Sequence, residues 1–146
     1  MRAVVQRVAR AEVRVDGIVL GAIGAGLAIL LGVGRGDGTA EADRMAARLA
    51  RLRVFPDADG RFDRSLLDVG GAALVVSQFT LYGDTSRGNR PSFTEAAAPE
   101  LAEPLYERVC ERLVAEGVRS LERGRFGARM QVELVNDGPV TIVVEL

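Results

Sequence analysis

The alternation of apolar and polar residues changes period several times along the chain, and each change marks an element. Residues 2–8 (RAVVQRV) and 12–15 read as strands, with Val13 and Val15 flanking Arg14 in the period-two pattern of a half-buried strand. Asp16-Gly17 is a hairpin signal that leads into a short strand at 18–20. Residues 27–33 form an unbroken apolar run bounded by glycines, the pattern of a strand covered on both faces. Ala42, Met45, Ala46, Leu49 and Leu52 then recur at helical spacing, which predicts a helix from an N-cap at Thr39 to about Arg53. Residues 55–60 (FPDADG) read as a short strand entering a turn. Residues 73–82 read as one long strand, apolar at its start and polar in its middle. Leu101, Leu105, Val109 and Leu113 mark a second helix, closed by Gly117. Residues 130–135 and 140–146 form a last pair of strands around Asn136-Asp137-Gly138-Pro139. Strands outnumber helices and do not alternate with them, so the expected class is α+β, one domain over residues 1–146.

Composition narrows the setting. Hydrophobic residues make up 48% and charged residues 27%, an ordinary globular mixture. The longest strongly apolar stretch, 26–33, is far short of the roughly 20 residues of a membrane span, so no membrane partner is expected. Arginines recur through the first residues and leave no secretory apolar core, and Cys110 stands alone; both point to the cytoplasm. The net charge of −1 argues against a general polyanion binder, and DNA is not an expected partner. A local arginine patch still leaves RNA open.

Two absences say more. The chain has no histidine, and all 19 of its basic residues are arginine. Ser-His-Asp and Cys-His catalysis, His-ligated zinc, Schiff-base chemistry and the lysine of a P-loop are all excluded. Catalysis here must use hydroxyls, carboxylates, backbone amides, arginine, a recruited ion or the substrate itself.

Most of the conspicuous motifs have plain explanations. The glycines of 32–38 (GVGRGDG) fit neither GxGxxG nor a P-loop and read as a strand-to-helix turn. Asp57-Ala58-Asp59-Gly60 opens like a calcium loop, but Phe62 stands where that loop needs glycine. Arg44, Arg48 and Arg51 share a helix face, which is either solvated or a phosphate-contacting stripe; Arg123, Arg125 and Arg129 cluster in the same way. Two segments are harder to dismiss. Ser77, Gln78 and Thr80 interrupt an apolar strand, where unpaired polar groups would cost roughly 1–3 kcal/mol each, so they either serve a ligand or mark a sheet edge reaching solvent. Gly138-Pro139 joins two strands with neither bulk at Gly138 nor a donor at Pro139; it is either simply a tight connection or, in a cis form, a device that aims two carbonyl oxygens nearly in parallel.

SQFTLYGD at 77–84 and NDGPVT at 136–141 together resemble the D-aminoacyl-tRNA deacylase family. So do MRAVVQRV at the start, RGNRPSF at 87–93 and FGARMQVEL at 126–134, and the pieces fit in order across essentially the whole chain. The resemblance implies a homodimer of mostly antiparallel, barrel-like β-sheets with two main helices, and active sites at the subunit interface. It implies that Ser77, Gln78 and Thr80, with Leu81, form the catalytic floor in one subunit. Gly138 and Pro139, cis, would reach across from the other subunit, hold the substrate's amino group and leave no room for an L side chain. Phe79 and the 126–130 segment ending in Met130 would wall the terminal adenosine. The implied reaction is hydrolysis of the ester at the 3′ end of D-aminoacyl-tRNA, with mischarged glycine also accepted, and with no metal and no cofactor. An aminoacyl ester is already activated, so oxyanion stabilisation and help from the neighbouring ribose hydroxyl can suffice. Thr80 as a nucleophile ranks below that route, because nothing nearby in sequence would deprotonate it. The rivals are a deacylase devoted to glycine and a non-catalytic RNA-binding dimer of the same fold.

Overall fold

In the computed structural model, which describes residues 1–146, the chain opens with one long strand, β1 (Arg2–Val15). The expected break at 9–11 is absent. Instead β1 changes phase: Ala3 and Val5 are buried, then Val8, then Ala11 and Val13, with register irregularities on either side of Val8. Such shifts move a strand's apolar set to its other face, and an unbroken strand therefore reads as two. Its first half packs under the helices and its second half inside the curl of the sheet.

β2 (Ile18–Ile23) and β3 (Gly26–Gly32) follow, both antiparallel to β1. β3 is buried on both faces as expected, with Leu27, Ile29 and Leu31 toward the helices and Ala28 toward the inner cluster. β6 (Ala72–Ser77) and β7 (Leu121–Arg123) extend the sheet in parallel, and β8 (Gln131–Glu145) covers the other edge of β1, antiparallel. The sheet is thus mixed, in the order β2-β1-β3-β6-β7 with β8 on β1. It curls nearly into a barrel. A side chain at Gly21 of β2 would lie 3.0 Å from Cβ of Glu122 in β7.

The helices α1 (Thr39–Ala50) and α3 (Pro99–Glu116) pack together over one face. Arg108 of α3 donates to both carboxylate oxygens of Asp43 at 2.8 and 2.7 Å, and this pairing holds the Asp43 carboxyl below its ordinary range. The cap of α1 is Gly38, not Thr39: the Glu41 carboxylate accepts the Gly38 N–H at 2.9 Å. Gly117 ends α3 in the left-handed region, as expected. No helix is long and apolar enough to cross a membrane. The short elements β4 (Phe55–Pro56), β5 (Phe62–Arg64) and the one-turn α2 (Leu66–Val69) complete the chain; β5, α2 and β7 are too brief for periodicity to announce.

Two expectations fail in ways that matter to function. The strand expected over 73–82 ends at Ser77, and Phe79–Tyr82 is a 3₁₀ turn. The expected strand pair at 130–146 is one strand, both halves of which pair with β1, so Gly138-Pro139 is no hairpin turn. Residues 137–140 are instead a bulge thrown out opposite Arg7, between the pairs Gln6–Thr141 and Val8–Asn136.

Candidate active site

A cleft of about 560 Å³ opens where β3 and β6 end. Ser77 and Gln78, where β6 ends, form its floor, and Phe79, Phe93, Phe126 and Met130 are among its other lining residues. The floor is held by backbone. Ser77 is in register with Leu31 of β3, the Gln78 N–H donates to the Leu31 carbonyl at 2.8 Å, and the Leu81 N–H to the Gln78 carbonyl at 3.3 Å. The N–H groups of Phe79 and Thr80 precede the first bond the turn closes on itself, as the opening donors of any helical turn do. Gly32 gives the floor its space: a Cβ there would lie 2.9 Å from the Gln78 carbonyl oxygen. Gly34 likewise leaves room for Tyr82, whose hydroxyl would sit 2.7 Å from such a Cβ. Two glycines of the 32–38 stretch, Gly32 and Gly34, thus give the turn clearance, whereas Gly36 faces open space. Burial, and next the Asp37 carboxylate, push the Tyr82 hydroxyl up to about 12.

Of the residues expected at the site, Ser77, Gln78, Phe79 and Met130 line one cleft. Phe79 is 57% exposed and meets Phe93 edge-to-face at 5.0 Å. Thr80 is exposed outside the lining, and its hydroxyl accepts a hydrogen bond from the Gln78 amide. Its partner is thus an amide, which cannot serve as a general base. Gly138 and Pro139 do not line the cleft of their own chain.

The bulge that carries them is held by side chains. The peptide bond between Gly138 and Pro139 is cis, and both residues are exposed. Asn136 accepts the Val140 N–H at 2.7 Å and donates to Thr141 Oγ1 at 3.0 Å. Arg7, its side chain only 12% exposed, donates to the Asp137 carbonyl at 2.9 Å and to the Val54 carbonyl at 2.7 Å. The aromatic ring of Phe62 lies 5.8 Å from the same guanidinium.

Sequence reading missed Phe93 and Tyr106 as lining residues. Tyr106 follows the helical spacing of the core of α3 and reads as core; its hydroxyl donates to the Val75 carbonyl at 2.9 Å, and burial holds it well above the ordinary tyrosine range. Cys110 is buried outside the lining, and burial raises its thiol to about 11. Asp57 caps its own turn by accepting from Asp59 and Arg61 at 2.8 and 2.9 Å, so the calcium-like motif is a turn. No group of three or more histidine, cysteine, aspartate or glutamate residues gathers to hold a metal ion. On α1, Arg44 pairs with Glu41 and Arg51 with Glu116, so that stripe is largely neutralised.

Residues 4–145 match the family model described as D-Tyr-tRNA(Tyr) deacylase. The chain belongs to this deacylase family. A protein of Roseiflexus castenholzii (strain DSM 13941 / HLO8) named D-aminoacyl-tRNA deacylase is 62% identical over 145 residues, spanning 99% of this chain and 92% of that one. One of the same name from Anaeromyxobacter dehalogenans (strain 2CP-C) is 61% identical, spanning 99% and 97%. Among solved structures, one named c-Myc DNA Unwinding Element Binding Protein superposes with a TM-score of 0.94 at 42% identity, covering 100% of this chain and 99% of that one. A probable eukaryotic D-amino acid tRNA deacylase, 19% identical, shares the deacylase fold with a TM-score of 0.82 over 99% of this chain and 98% of its own.

Proposed function

We propose that this protein hydrolyses the ester of D-aminoacyl-tRNA to free tRNA and a D-amino acid, and that it also accepts glycine mischarged on tRNA. Full-length relatives of that name support the reaction. The observation that carries the chemistry is a cleft floored by Ser77 and Gln78 with no carboxylate, imidazole or amine in its lining. Such a cleft suits a substrate that brings its own activation. The vicinal ribose hydroxyl helps water attack the ester, while hydroxyl, amide and backbone N–H groups of residues 77–80 polarise the carbonyl and receive the oxyanion. Phe79, Phe126 and Met130 offer apolar walls to the terminal adenosine.

Selection against L-amino acids falls to Gly138 and Pro139. Because they project from an exposed bulge away from their own cleft, a second copy must supply them, and the working unit is a homodimer with a cross-subunit site. β8 pairs only with β1, which leaves its outer edge free, and Val135 and Val143 on it are exposed; both favour that association. The cytoplasm, where aminoacyl-tRNA is used, is the proposed location.

The test is release of amino acid from D-tyrosyl-tRNA and L-tyrosyl-tRNA at equal, low enzyme concentration. Fast release from the D ester with the L ester spared is expected; release from neither would leave an RNA-binding dimer. Mixing two inactive variants, Gln78→Ala and Gly138→Val, should restore part of the activity through hybrid dimers. No recovery after subunit exchange would refute the cross-subunit site.

A further inference from the structure

The chain's arginines are not equally occupied. Most of those on β1, α1 and α3 are engaged with carboxylates, for example Arg10 with Glu133 at 2.9 Å and Arg108 with Asp43 at 2.7 Å. Among the arginines that join no ion pair are Arg87, Arg90, Arg123, Arg125 and Arg129. These five are exposed, and all lie in the two segments that border the cleft. Segment 84–93 leaves the 3₁₀ turn and returns to the wall residue Phe93, its base closed by the bridge between Asp84 and Ser92. Segment 123–130 contributes Phe126, Gly127, Ala128 and Met130 to the lining. Together they hold five arginines against one carboxylate, a local charge of +4 in a chain whose net charge is −1.

That single carboxylate is already engaged. Asp84 accepts from the N–H and the hydroxyl of Ser86 at 2.9 and 3.0 Å, which holds its carboxyl below the ordinary range. Nothing within these segments neutralises the guanidinium groups. Beyond Phe126 the sign of the surface turns: Glu103, Glu107 and Glu122 edge a second hollow beside Arg123 and Arg125. Those glutamates line the same hollow as Arg123 and Arg125 and offset part of their charge, whereas Arg87, Arg90 and Arg129 do not line it. Guanidinium forks suit phosphodiesters, and a chain without lysine has no other side-chain cation for the task.

We propose that Arg87 and Arg90 on one side of the cleft, and Arg125 and Arg129 on the other, bind the phosphodiesters of the single-stranded RNA immediately 5′ of the esterified nucleotide. This rests on the reading that the cleft takes the 3′-terminal aminoacyl ester. The phosphates set affinity and register, and the cleft performs the chemistry.

The test compares two substrates: D-tyrosyl adenosine, which has no phosphodiester, and a D-tyrosylated RNA minihelix with a single-stranded 3′ end. The variants are the doubles R87Q/R90Q and R125Q/R129Q, with Arg48→Gln on α1 as control. For each double, KM for the minihelix should rise about tenfold. The slope of log kcat/KM against log salt should become shallower by roughly 1.4, at about 0.7 per lost single-strand contact. Turnover of D-tyrosyl adenosine should fall far less than that of the minihelix. Equal losses on both substrates, or no loss on the minihelix, would overturn the proposal. Binding of uncharged minihelix, followed by fluorescence anisotropy across salt, gives an answer independent of catalysis. If wild type bound it with a salt slope that the doubles lose, yet hydrolysed neither ester, the arginine assignment would stand and the catalytic reading would fall.

Discussion

The turn at 77–82 and the bulge at 137–140 are both short polar interruptions of the sheet, yet they are held by different means. The turn is an extension of the parallel ladder: main-chain bonds from Gln78 to Leu31 and from Leu81 to Gln78 set its path, and Gly32 clears its way. The bulge has left its ladder and hangs on two side chains, Asn136 within the strand and Arg7 across from it. A backbone-built floor keeps its path when its own side chains change but not under intrusion from below. A side-chain-built probe depends on each residue that grips it. This difference suits the proposed roles, in which the floor polarises a common ester group and the bulge judges what surrounds the α-carbon.

The comparison breaks most sharply at Gly138. A Cβ there would lie 2.7 Å from Val140 Cγ2 and 2.9 Å from its backbone nitrogen, at a φ of +145°. Gly138→Ala should lower D-tyrosyl-tRNA turnover about a hundredfold through misplacement of the bulge. Because the site is exposed, the thermal midpoint should move little; unchanged turnover would remove the bulge from the active site. Arg7→Ala comes next. It strips two carbonyl acceptors of a largely buried cation, so urea denaturation should register a loss of about 1.5–3 kcal/mol. The D-over-L preference should fall about tenfold, and Arg7→Lys should recover little of it, since an ammonium lacks the fork that spans both carbonyls.

Gly32→Ala probes the floor from beneath. Contact with the Gln78 carbonyl should cost about 1–3 kcal/mol of stability and reduce kcat more than it raises KM. Thr80→Ala removes only the partner of the Gln78 amide, so a loss below about tenfold is expected. An acyl-enzyme on Thr80 in wild type, seen by mass spectrometry, would instead make it the nucleophile.

The mildest effect concerns pH. Asp43, held low by Arg108, and Asp68, held low by the Ser65 N–H, bind protons less readily folded than unfolded. Their stabilisation is complete above the unfolded value near 4 and is lost as pH falls through the lower folded values. Unfolding scans should therefore give a plateau from about pH 8 to 5 and a decline below about 4. The pH–rate profile should lack the bell of a protein acid–base pair, its one inflection belonging to the α-amino group of the substrate.

What the chain makes legible by itself is local. Periodicity located α1, α3 and the doubly covered β3, because an apolar stripe or run is written residue by residue. The absence of histidine and lysine restricts the chemistry whatever the fold. The polar residues 77, 78 and 80 are conspicuous in an apolar run, and the structure places Ser77 and Gln78 in the cleft lining but Thr80 outside it. The tertiary structure alone decided that β1 is one strand with a shifted phase, since a bulge exchanges its faces without any turn residue to announce it. It also decided that residues 137–140 form a bulge opposite Arg7, 130 positions away in the sequence from Asp137. Likewise, Phe93, Phe126 and Tyr106 meet around one cleft only after the chain has folded. Contacts of that range are set by the packing of the curled sheet against its helices, and local sequence carries no record of which distant surface a side chain will meet.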